Sequence, residues 1–143
     1  MIELNGLRIK TLVMALAFTL LVNARAELPP SVYEEMKRNS DEVVVVQILK
    51  SSSADLKLAG NRVQLTYEAK VLRIIRSQSR LRPSTAITIQ SSYYRFGPGE
   101  VGPSNPRRLK KSDVVTAYLH KGKKVGQYII AAGGHSFEKT MTG

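Results

Sequence analysis

Cysteine and tryptophan are absent from all 143 residues, and only three phenylalanines occur. Without cysteine there is no disulfide, no thiol nucleophile, no cysteine-ligated zinc, no covalent haem attachment and no lipoprotein acylation site. The fold must therefore stand on packing alone. Aromatic content rests on six tyrosines, which provide no obvious broad platform for stacking sugar rings. Acidic side chains are also scarce, 11 against 22 lysines and arginines, for a formal net charge of +11. That imbalance favours anionic partners and an attraction that weakens in salt. It serves equally to keep a small domain soluble. No internal repeat, heptad pattern or interdomain linker interrupts the chain.

The most informative stretch that is present is the first 26 residues. A cationic start with Arg8 and Lys10 precedes an apolar run over 11–22, and Ala24-Arg25-Ala26 supplies the small, spaced residues a signal peptidase needs before Glu27. The run is shorter than the roughly 20 residues that span a bilayer. The expectation is a cleaved secretory signal peptide and an exported protein, periplasmic or secreted, without a mature transmembrane helix. Residues 27–143 then form a single domain with one modest core.

Along that domain, Leu28-Pro29-Pro30-Ser31 is a stiff lead-in, and Ser31 with Glu34 fits a capping box opening a short helix that ends near Asn39. Tyr33 with Met36 or Lys37 would face the body and plug one end of it. Val43-Val44-Val45-Val46-Gln47-Ile48-Leu49 predicts a buried strand. Polar residues 51–61 read as an exposed hairpin connection. From Arg62, apolar Val63, Leu65, Tyr67, Ala69 and Val71 alternate with polar neighbours, and the phase then slips to Leu72, Ile74 and Ile75, as at a β-bulge bending a strand around a barrel. Residues 85–96 predict a third strand in which Tyr93 and Tyr94 point to opposite faces. Residues 97–106, rich in glycine and proline, predict a long mobile loop. Val114 to Leu119 and 127–132 form a final hairpin turned by Lys121-Gly122-Lys123-Lys124, after which the tail should be loose.

These elements predict a mainly all-β fold, a five-stranded OB-like β-barrel with a short N-terminal helix. The segments Asn39-Ser40-Asp41-Glu42-Val43-Val44-Val45-Val46, Tyr67-Glu68-Ala69-Lys70-Val71-Leu72-Arg73-Ile74-Ile75, Asp113-Val114-Val115-Thr116-Ala117-Tyr118-Leu119 and Gly126-Gln127-Tyr128 resemble, in hydrophobic cadence, bacterial exported domains of the netrin/TIMP-like (NTR) group. The resemblance covers about residues 31 to 137 and implies an OB barrel that binds proteins or polyanions. Animal inhibitors of that group present an N-terminal cysteine to a catalytic zinc. Here Glu27-Leu28-Pro29-Pro30 would stand at that end, so no inhibitory residue carries over.

Catalytic chemistry is thinly represented. His120 and His135, joined by Asp113 or Glu138, would be the material of a small metal-dependent hydrolase, but no local spacing supports a metal site, and no cofactor is indicated. Ser136 beside His135 lacks a nucleophile elbow, and Gly97, Gly99 and Gly102 lack the lysine and helix of a phosphate loop. Adjacent Glu34 and Glu35 diverge on a helix and make no acid/base pair. The remaining signal is basic: Arg107, Arg108, Lys110 and Lys111 first, then Arg76, Arg80 and Arg82, with Lys121, Lys123 and Lys124 on the last hairpin. Such rims could converge around Tyr93, Tyr94 or Arg95. The reading is a non-enzymatic binding module for an anionic glycan, a lipid headgroup at a membrane surface or an acidic protein surface, nucleic acid being the less natural ligand outside the cytoplasm. An alternative is an inhibitor or interaction domain that inserts the 97–106 loop into a partner's cleft. The pattern leaves the oligomeric state unspecified.

Overall fold

The structure, a computed structural model, describes residues 27–55, 62–100 and 102–140. The expected signal peptide lies outside the described residues. In chain order the elements are helix α1 (Pro30–Arg38), strands β1 (Glu42–Asp55), β2 (Arg62–Ser77), β3 (Ala86–Tyr94), β4 (Val114–Lys121) and β5 (Gln127–Ile130), a 3-10 turn (Gly133–His135) and strand β6 (Phe137–Lys139).

Antiparallel β1–β2 and β2–β3 ladders are followed by a short parallel β3–β5 contact and an antiparallel β5–β4 hairpin, and β4 returns to pair with β1. The order β1-β2-β3-β5-β4-β1 closes a five-stranded barrel of OB type, as the strand pattern predicted. Its core holds Val44, Val46 and Ile48 of β1 and the whole alternating set Val63, Leu65, Tyr67, Ala69 and Val71 of β2. The expected phase slip is real. Between Val45↔Arg73 and Val46↔Val71 one residue of β2, Leu72, has no partner on β1, and Ile75 is skipped in the same way between Val43↔Arg76 and Val44↔Ile74. Each extra residue bends β2 and lets a single long strand turn the barrel corner.

Four local expectations are corrected. Helix α1 has no side-chain cap: Pro29 stands at its N-cap and Pro30 opens it, while Glu34 pairs with Lys37 rather than completing a box with Ser31. Residues Ser51 to Asp55 are strand, because β2 runs alongside them from Val63 to Tyr67 and supplies a backbone ladder partner for each. Strand β5 is shorter than expected and ends at Ile130. The tail is not loose through Lys139: Phe137 is buried beside Ala117, and β6 adds an antiparallel edge to β4.

Helix α1 buries Tyr33 and Lys37, one turn apart, and packs toward the β4–β6 edge. Lys37 Nζ bonds Glu34 Oε1 at 3.0 Å and also Glu138 Oε1 on β6, and it lies 5.3 Å from the centre of the Tyr118 ring. Among the described residues no helix is long and apolar enough to cross a membrane.

Candidate functional site

Between β3 and β4 the chain crosses one mouth of the barrel as a strap. Pro106 and Leu109 are buried, and Leu109 belongs to the core. The Leu109 N–H donates to the Tyr67 hydroxyl at 3.2 Å, Lys110 N–H to Asp113 Oδ2 at 2.8 Å, Asp113 N–H to Lys110 O at 3.0 Å, and Ser112 N–H to Ile48 O at 2.7 Å. Ser112 adopts a left-handed φ of 76°, a conformation that the surrounding bonds must hold in a residue with a side chain. Burial pushes the Tyr67 phenol above its ordinary pKa, against the lowering effect of the Leu109 bond and of Arg108, so the hydroxyl stays protonated. The apolar and backbone groups of the strap thus point inward, and Arg107, Arg108, Lys110 and Lys111 all project outward.

The end of β3 adds two aromatic supports. Tyr93 and Tyr94 point to opposite faces, as their adjacency in a strand requires. The Arg108 guanidinium lies 5.3 Å from the Tyr93 ring centre, and that of Arg62 lies 5.6 Å from Tyr94. Tyr94 also stacks on Phe96 at 6.3 Å. Each arginine is partly ordered by a ring while its charge remains in solvent.

Arg76, Arg80 and Arg82 do not join this surface. Register puts Arg76 opposite Val43, near the start of β1 and the end of β4, whereas the strap closes over Tyr67, Tyr93 and Ile48. Tyr67 and Arg76 are separated by roughly 30 Å of strand at the usual rise. Arg76 is moreover engaged: its Nη2 donates to Lys37 O at 3.1 Å, Ser40 O at 2.7 Å and Ser40 Oγ at 3.0 Å, binding the carbonyl end of α1. Arg80 and Arg82 are exposed in the β2–β3 connection, at the same end as Lys121, Lys123 and Lys124 of the β4–β5 turn.

The 97–106 segment is not wholly projecting. Asn105 reads the β3 edge like another strand, its Nδ2 donating to Tyr94 O at 2.7 Å and its Oδ1 accepting from Tyr94 N–H at 2.8 Å. Ser104 approaches Gly134 so closely that a Cβ there would stand 2.5 Å from its carbonyl oxygen. Pro98, Gly99 and Glu100 form an exposed tip, and Pro103 and Ser104 are exposed as well, whereas Pro106 is buried.

The two histidines have different partners. His120 Nδ1 lies 3.2 Å from Asp41 Oδ2, while His135 stacks on Tyr33 at 4.1 Å and faces Glu27 at 4.0 Å. Asp113 serves the strap, Glu138 serves Lys37 and Tyr118, and Ser136 Oγ bonds Gly133 O and Ala132 N–H. No group of three or more metal-ligating side chains forms among the described residues.

Sequence reasoning missed a cleft of about 360 Å³ lined by Arg62, Gln64, Gln90, Ser91, Ser92, Ile129 and Ile130. Arg62 and Gln64 on β2 and Gln90 and Ser92 on β3 sit at alternate positions of their strands, and that alternation was the only signal available. Their meeting with β5 depends on barrel closure. Comparison with protein-family models, characterised proteins and solved structures returns no match.

Proposed function

We propose that this chain is an exported, non-enzymatic binding module of the netrin/TIMP-like kind, without the cysteine-based inhibitory end. Its barrel mouth engages an anionic glycan, a lipid headgroup or an acidic protein surface. Arg107, Arg108, Lys110 and Lys111 make the contact, and Arg80 and Arg82, at the far end, contribute only long-range attraction. The observation that carries this reading is the strap itself. Four cations project from a backbone held by Leu109 in the core and by bonds to Tyr67, Asp113 and Ile48, so their spacing is set before a ligand arrives.

The test is binding of the full chain to a sulfated polysaccharide over a range of salt concentrations, with Arg107→Glu, Arg108→Glu, Lys110→Glu and Lys111→Glu combined. All four side chains are exposed, so the fold should persist. Affinity should fall and its dependence on salt should flatten, because fewer counterions are released when the cations are gone. Equal affinity at every salt concentration would reject the strap as the contact.

A further inference from the structure

We infer that the cleft beside β3 and β5 binds one acidic sugar residue, a uronate whose carboxylate rests on Arg62. This names a ligand class within the anionic-ligand reading above but uses residues separate from the strap. The cleft exists because β3 and β5 pair only over Thr88–Gln90 and Gln127–Ile129, after which β3 runs on to Tyr94 while β5 ends at Ile130. Its volume of about 360 Å³ lies within the range of small-molecule sites.

The lining suits a sugar acid better than a phosphate or sulfate. Among the described residues Arg62 is the only charged side chain lining it, whereas a doubly charged oxyanion would call for several cations. Its Nη2 donates to Ser92 Oγ at 3.2 Å and its guanidinium lies over Tyr94, so the group is oriented from two sides. Of its five N–H donors, those beyond the Ser92 bond can take a planar carboxylate in the paired, parallel manner. Gln64 and Gln90 are half-buried carboxamides, each with two donors and an acceptor, which complement neighbouring hydroxyls that both give and receive. Ser91 borders the cleft through its place on β3, but it is in phase with core-facing Ile87 and Ile89, and its buried Oγ lies on the barrel side, away from a ligand. Ile129, exposed on the same wall, offers an apolar surface for the C–H face of a pyranose ring.

The experiment follows backbone amide NMR signals of the full chain during titration with galacturonate, its linear tetramer and the fully methyl-esterified tetramer. Saturable shifts at Arg62, Gln64, Gln90, Ser92 and Ile129 are expected with the acids and not with the ester. Arg62→Gln should weaken binding about tenfold, the loss expected when one paired contact is removed. Gln64→Leu, which keeps the shape of the strand position, should weaken it as well, with distant amides unchanged to show an intact fold. Shifts from the monomer identify a free sugar acid, and shifts from the tetramer alone identify a residue within a polymer; both support the site. Equal binding of the ester, wild-type affinity in Arg62→Gln, cleft shifts with an extended peptide instead of the acids, or no shifts at all overturn it. Shifts confined to 107–111 also overturn the cleft and leave the strap standing. Cleft shifts that persist in the strap variant uphold the cleft whatever becomes of the strap.

Discussion

Lys37 is a lysine at 8% exposure that nevertheless stays charged. Burial pulls its pKa down, but hydrogen bonds and ion attraction from Glu138 and Glu34 outweigh it and hold the ammonium above 10.5. Tyr118, which donates to Glu138 Oε2 at 3.0 Å, is raised first by burial and then by that bond, and burial also raises Tyr67. All three groups hold protons more tightly in the folded state. Their stabilisation is complete below the unfolded values, 10.0 for tyrosine and 10.5 for lysine, and is lost as pH rises through the folded ones. Urea midpoints should accordingly drop above pH 10.0. Lys37→Met should lower stability near neutrality by roughly 1–2 kcal/mol and make the alkaline drop shallower. An identical alkaline drop in the two proteins would remove Lys37 from this account. Lys37 was legible as a body-facing position from its helical spacing, but not as an ion-pair centre, since Glu138 is remote in sequence and meets it only through β6.

Among the elements, β6 has a larger role than its length suggests. Phe137 packs edge-on against Tyr67 with ring centres 5.9 Å apart, and Tyr67 holds Leu109 of the strap. Support for the basic surface therefore passes from the last strand through a core tyrosine to the mouth. Phe137→Ala should cost roughly 3–5 kcal/mol, as for other large-to-small changes in a packed core. In conditions where the variant remains folded, amide exchange at Leu109 should accelerate. Unchanged protection there would separate the strap from β6. The polar tail hid this strand, because three residues carry too little alternation to be read and the edge of β4 that receives them is a product of the barrel. Strand β2 is the opposite case: its long alternation and its slip after Val71 announced both its inner face and its bend.

For the whole molecule, charge divides between the two ends. Arg107, Arg108, Lys110 and Lys111 occupy the strapped mouth, while Arg80, Arg82, Lys121, Lys123 and Lys124 lie at the other end. At 0.15 M salt the screening length is about 8 Å, far shorter than the barrel, so the ends act separately. Arg80→Gln with Arg82→Gln should leave affinity for a sulfated polysaccharide within about twofold at that salt concentration, and lower it further only when salt is reduced. A loss matching that of the strap variant would mean that the far rim makes the contact.

Much of this protein was determined by sequence alone. Hydrophobic period and β-branching set the strands, because alternation can bury only one face of a sheet, and the slip at Leu72 foretold the bend. Excess lysine and arginine set the sign of the surface. Tertiary structure decided which cations lie together. Closure through β3–β5 and β1–β4 placed Arg76 against the end of α1 and separated Arg80 and Arg82 from the strap. The same closure joined Arg62, Gln64, Gln90 and Ser92 to Ile129 across a cleft. Side-chain periodicity records which face of its own strand a residue occupies, but the neighbour beyond that strand is set by packing of the entire barrel.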